Sequence, residues 1–81
     1  MPRYFLDICY SGLTVEDDDG FRFTDLAAAR SEAERALREI VANCIRESRQ
    51  LAPRCVNIRT DDGEIAGVIM LRDVLPPDFM K

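Results

Sequence analysis

The sequence predicts an α+β fold: a two-layer ββαββ domain with one long helix packed on one face of an antiparallel sheet of three or four strands. Three observations carry this. From Thr24 to about Arg49, apolar residues recur at helical spacing: Leu26, Ala29, Ala33, Leu37, Ile40 and Cys44, with Ala36, Val41 and Ile45 widening the stripe. Short runs of β-branched and aromatic residues flank that segment on both sides. Turn chemistry, Ser11-Gly12 before the helix and Asp61-Asp62-Gly63 after it, divides each flank into a strand pair.

Arg3 to Tyr10 reads as the first strand, with Tyr4, Leu6 and Ile8 alternating with Phe5, Asp7 and Cys9. Ser11-Gly12 turns the chain into a short second strand, Leu13-Thr14-Val15. Asp17-Asp18-Asp19-Gly20 ends it, because acids tolerate turn backbones and glycine takes positive φ most easily. Phe21-Arg22-Phe23 reads as a brief extended connection whose rings cap one end of the core. Thr24 and Asp25 each offer a side-chain oxygen to the free amides of a first helical turn. Ala27-Ala28-Ala29 has high helix propensity, and its small side chains let the helix approach a sheet closely. Glu34 and Arg38 form an i,i+4 pair on the solvent side, and Arg46 and Arg49 suit the negative end of the helix dipole. The helix stops near Gln50, because Pro53 disfavours α backbone at Ala52. Arg54 to Thr60 reads as the third strand and Glu64 to Leu71 as the fourth. Strict alternation places Ile65, Ile69 and Leu71 on one face of the fourth strand, and Ala66, Val68 and Met70 on the other. The domain spans residues 1–73. Pro76-Pro77 excludes regular structure, so 74–81 reads as a flexible C-terminal tail.

One helix covers one sheet face. About 25 helical residues reach ~37 Å while a six-residue strand reaches ~20 Å, so the helix crosses the sheet diagonally or overhangs it. The strands carry apolar residues on both faces. Phe5, Val68 and Met70 therefore form a candidate interface, and the bare face predicts self-association as a homodimer.

Composition removes whole classes of chemistry. With 81 residues and 47% hydrophobic content the chain makes one small domain. No apolar run approaches the ~18–20 residues that span a bilayer, and Asp7 interrupts any secretory h-region, so a cytoplasmic setting is expected. Cys9, Cys44 and Cys55 form no C-x-x-C and read as reduced structural thiols. The chain has no histidine, which excludes Ser–His and Cys–His pairs and the HExxH helix. No catalytic, cofactor-binding or metal-ligating residue is assigned, and the chain reads as a non-enzyme. The acidic run fails the calcium-loop test: with Gly20 at position 6, Val15 falls at position 1 and Leu26 at position 12, and neither side chain ligates.

Charge is uneven. Residues 1–25 carry six acids against two arginines, while residues 26–50 carry five arginines against four glutamates. The net charge of −4 weighs against nucleic acid as a partner. Arg46, Arg49, Arg54 and Arg59, near the helix end and the third strand, are a candidate anion patch. Asp7 is the one acid inside a strongly apolar run, and pairing with an arginine of a neighbouring strand, Arg59, is its expected structural role.

The opening Met1-Pro2-Arg3-Tyr4-Phe5-Leu6-Asp7-Ile8, the turn Asp17-Asp18-Asp19-Gly20, Asp25-Leu26 with Ala28-Ala29, Val56-Asn57-Ile58-Arg59 and the turn Asp62-Gly63 resemble a small uncharacterised family. Its members are short cytosolic proteins of rhizobia and related alphaproteobacteria. The resemblance covers residues 1–73; Leu6 stands where the family pattern has phenylalanine. It implies a bacterial, cytosolic, single-domain protein and carries over no functional residue. The function read from all this is a non-catalytic, self-associating protein-interaction module. The alternative is a small regulatory or antitoxin-like partner that binds another protein or nucleic acid.

Overall fold

The computed structural model describes residues 1–47 and 52–74. Its element order is β1 (Arg3–Tyr10), β2 (Leu13–Val15), β3 (Phe21–Arg22), α1 (Leu26–Arg46), β4 (Cys55–Thr60), β5 (Ile65–Met70) and α2 (Leu71–Val74). The ββαββ order and the α+β class are those the sequence predicts. The sheet is antiparallel and runs β2-β1-β4-β5, with β3 also paired to β1.

Among the described residues the sheet has five strands, because Phe21–Arg22 is more than a connection. β2 pairs with β1 at Ile8 to Tyr10, and β3 pairs with it at Arg3 and Tyr4. The chain thus leaves the outer edge of β1 at Val15, loops out through residues 16–20, and returns to the same edge. A two-residue strand is too short for alternation to reveal it. Tyr10 and Leu13 close the first hairpin across Ser11-Gly12. In the second, Gly63 N donates to Thr60 O at 3.0 Å and Thr60 N to Glu64 O at 2.8 Å.

Helix α1 begins where its cap dictates. Asp25 has extended backbone and its Oδ1 accepts from Ala28 N at 2.9 Å, so Asp25, rather than Thr24, is the cap. Glu47 N closes the other end on Asn43 O at 2.9 Å. The helix therefore has 21 residues against the roughly 25 of its apolar pattern; residues 48–51 lie outside those described. On its solvent side Glu34 and Arg38 pair at 3.4 Å, and Arg35 bridges Glu32 and Glu39. All five side chains are more than a third exposed, so these pairs contribute little.

The core lies between α1 and one sheet face. Ala29, Ala33, Leu37 and Val41 from the helix meet Val56 and Ile58 of β4 and Ile69 of β5. Tyr4, Leu6, Ile8, Phe23, Leu26, Leu71 and Val74 pack around this cluster. Ile45, counted in the apolar stripe, is 56% exposed, whereas Cys44 beside it is 4% exposed. Phe23 closes one end of the core, whereas Phe21 is 72% exposed.

Strand β5 departs from strict alternation. Ile58 pairs with Gly67, but Arg59 pairs with Ile65, leaving Ala66 as an extra residue. One inserted residue turns a side chain to the opposite face. Ile65 therefore leaves the face of Ile69 and stands 53% exposed beside Val68. The strand also ends one residue early: Leu71 opens the single-turn α2, its amide donating to Arg54 O at 2.9 Å. The segment 75–81, the rest of the expected tail, lies outside the described residues.

Candidate functional site

With both helices on one side, the opposite sheet face carries the odd-numbered residues of β1 and β4. In register across these strands lie Phe5 with Arg59, Asp7 with Asn57, and Cys9 with Cys55. The extended sheet brings together here what 50 residues of chain separate.

Asp7 is 4% exposed and is the one buried charged residue among those described. Its Oδ2 accepts from Arg59 Nε at 2.9 Å and its Oδ1 from Arg59 Nη2 at 3.2 Å. The two residues are diagonal neighbours, a span that a long arginine side chain covers. Asp17 N donates to Asp7 Oδ1 at 2.9 Å, and Arg59 Nη2 donates to Asp17 O at 3.1 Å. Burial opposes the charged carboxylate of Asp7. The Arg59 hydrogen bonds, the Asp17 amide and the Arg59 charge together outweigh it and hold the carboxyl below its ordinary value of 3.8. The ion pair expected from the sequence is thus present, and it is the hinge pin of the 16–20 loop.

Asp17 is the residue the sequence reading missed. Its Oδ1 accepts from Asp19 N at 3.2 Å and Gly20 N at 3.1 Å, and its Oδ2 from Leu6 N at 3.3 Å. The acidic run is a turn whose first carboxylate satisfies its own backbone amides and one of β1. The signal was available in Asp17-x-x-Gly20, a spacing at which aspartate bonds the chain two or three residues on.

The loop covers Phe5. Arg59 Cζ sits 4.6 Å from the ring centroid, and Gly20 backs onto the ring edge. Gly20 has φ +69, and a Cβ there would lie 2.8 Å from Phe5 Cε2 and 3.0 Å from Arg3 Cγ. Gly12 has φ +78 with nothing within 4 Å of such a Cβ. Gly20→Ala and Gly12→Ala are each expected to lose ~1–2 kcal/mol to left-handed strain. Gly20→Ala loses more, because the Phe5 ring must also move. Urea unfolding of the two variants makes the comparison, and equal losses would show that the ring is not seated on the loop.

Of the candidate interface residues, Val68 is 41% exposed, Met70 is half-buried, and Phe5 is half-buried beneath Arg59 and Gly20. Ile65 joins Val68 through the bulge. Of the candidate anion patch, Arg59 and Arg46 lie in different layers of the fold. Arg59 is bound to Asp7 on the helix-free face. Arg46 lies in the last turn of α1, in the other layer, its Nη1 donating to Asn43 Oδ1 at 2.8 Å. Arg49 lies outside the described residues. Arg54 borders a shallow cleft of about 320 Å³ with Pro53, Met70, Leu71 and Arg72. A second cleft, about 260 Å³, is lined by Phe21, Phe23 and Glu32.

Cys9 and Cys55 face each other across β1 and β4, and neither they nor Cys44 form a disulfide. Burial, and next the Cys9 thiol beside it, push the Cys55 thiol up to about 11, Arg54 opposing. No helix among the described residues is long and apolar enough to cross a membrane.

A family model described as a domain of unknown function, DUF6894, matches residues 3–72, from the first residue of β1 into α2. The chain belongs to the DUF6894 family. The match takes in every strand, α1 and the Asp7–Arg59–Asp17 network. No curated protein and no solved structure matches the chain.

Proposed function

We propose that this DUF6894 domain is a non-catalytic interaction module that associates with a second copy of itself through β5. The observation that carries it is the position and surface of that strand. β5 ends the sheet, and its sequence Ile-Ala-Gly-Val-Ile-Met holds neither charge nor proline, the usual guards of a free edge. Ile65 and Val68 stand exposed on its helix-free side, with Met70 at the far end. A second copy is the fitting occupant. Two β5 edges related by a two-fold axis pair antiparallel and present identical patches to each other. The buried charge on that face, Asp7, is already paired with Arg59.

A non-catalytic role agrees with the chemistry of the chain. It has no histidine, its buried acid is committed to an arginine, and its clefts lie near or below the ~300 Å³ at which small-molecule sites begin. The same proposal places the domain in the bacterial cytoplasm, where three unbridged cysteines stay reduced. The second reading, a regulatory or antitoxin-like partner of another protein, draws on the Arg54–Arg72 cleft with its apolar floor, which suits an acidic peptide.

Light scattering at high micromolar concentration tests the proposal. The native chain is expected to be a dimer and Val68→Asp a folded monomer, its dimer dissociation constant raised more than ~10-fold, or ~1.4 kcal/mol. A native chain that stays monomeric overturns it. So does a Val68→Asp chain that dimerises as before.

A further inference from the structure

Three sulfur side chains stand abreast on the helix-free face. Cys9 of β1 pairs in register with Cys55 of β4, and Cys55 pairs in turn with Met70 of β5. Residues opposed in this way on adjacent antiparallel strands hold their Cβ atoms ~4.5–5.5 Å apart. All three residues are half-buried, so the row is neither sealed in the core nor washed by bulk water. The hydrogen bonds of the thiols are long: Cys9 Sγ lies 4.0 Å from Asp7 O, and Cys55 Sγ 4.0 Å from Asn57 Oδ1.

We propose that Cys9, Cys55 and Met70 form a binding site for a single copper(I) ion. The donor set selects the metal. Two thiolates and one thioether are soft ligands, and copper(I) is held by such ligands. Zinc prefers four ligands drawn from cysteine, histidine and carboxylate. Among the described residues no three such side chains are grouped to hold a metal, and the nearest carboxylate on this face, Asp7, is taken by Arg59. Calcium and magnesium need oxygen ligands that this row lacks.

The step balances without electron transfer. Copper enters as Cu⁺ and leaves as Cu⁺. Each thiol gives its proton to solvent as its sulfur bonds the metal, and Met70 donates a neutral lone pair. The site gains one net negative charge. Nothing in local sequence announces the site. Cys9 and Cys55 are 46 positions apart and Met70 another 15, and only the sheet register aligns them.

Anaerobic titration of the reduced full-length chain with copper(I), against a chromophoric copper(I) chelator, tests the site. One equivalent per chain is expected to be withdrawn from the chelator. Cys9→Ser and Cys55→Ser are each expected to lose that competition, Met70→Leu to weaken it about tenfold, and Cys44→Ala to leave it unchanged. Circular dichroism verifies that each variant is folded. X-ray absorption of the copper-loaded native chain needs no variant, and an all-sulfur shell is expected. Val68→Asp leaves the three sulfurs in place and separates the site from self-association, so its copper uptake is expected to be native. The proposal is overturned by undiminished competition in Cys9→Ser, by nitrogen or oxygen ligands in the absorption spectrum, or by loss of uptake in Val68→Asp.

Discussion

Leu37→Ala is expected to lose about 3–4 kcal/mol of folding free energy, the typical range for truncating a fully buried leucine. Leu37 is 0% exposed and stands midway along the buried stripe of α1. It packs in one cluster with Val56, Ile58 and Ile69, so its removal opens a void where the helix meets β4 and β5. The neighbours on its own stripe, Ala29 and Ala33, are too small to fill that void. The loss is large for this molecule. At ~0.05–0.15 kcal/mol per residue, 81 residues carry roughly 4–12 kcal/mol in total. Urea unfolding followed by helical circular dichroism should show a markedly lower midpoint with an unchanged slope. Ile45→Ala, on the same helix at 56% exposure, is expected to shift the midpoint by less than ~0.5 kcal/mol. A Leu37→Ala loss no larger than that of Ile45→Ala would mean that α1 presents another face to the sheet.

That experiment probes the part of the fold most legible in the sequence. The 3.6-residue period of Leu26, Ala29, Ala33 and Leu37 is local, and it places the buried face directly. Asp7 was legible for a different reason. A charge inside an apolar run must find a partner, and Arg59 was within strand reach. Register was the barrier elsewhere. One extra residue at Ala66 moves Ile65 across the sheet, and alternation alone does not mark where a bulge falls. Strand β3 is too short to carry a period, so its pairing with Arg3 and Tyr4 shows only in three dimensions. Grouping Arg59 with Arg46 and Arg54 followed closeness in sequence. The fold instead commits Arg59 to the sheet face and Arg46 to the helix layer. The Cys9–Cys55–Met70 row is the extreme case, since it needs the register of three strands at once.

Asp7→Ala is expected to lose about 3 kcal/mol, near the lower end for breaking a buried ion pair. The carboxylate accepts three hydrogen bonds, two from Arg59 and one from the Asp17 amide, so its loss also unpins the 16–20 loop. The freed Arg59 side chain, 23% exposed, can turn toward water, which softens the effect. Arg59→Ala is expected to be the worse variant, because the carboxylate it strands is only 6% exposed and has no such route. The pH dependence separates the two. In the native chain Asp7 titrates below its ordinary 3.8, so its stabilisation is present above that value and is lost as pH falls through the lowered pKa. Without Arg59, burial is opposed by the Asp17 amide alone, and the carboxyl rises above its unfolded value. Such a group destabilises the fold at neutral pH, and acidification through the raised pKa relieves it. The urea midpoint of Arg59→Ala should therefore rise as pH is lowered from 7 toward the ordinary carboxyl range near ~4, while that of the native chain holds and then falls. The double variant Asp7→Ala/Arg59→Ala should recover part of the Arg59→Ala loss, since no charge is then stranded. Parallel pH profiles for the native and Arg59→Ala chains, with no recovery in the double variant, would show that Arg59 does not carry the Asp7 charge.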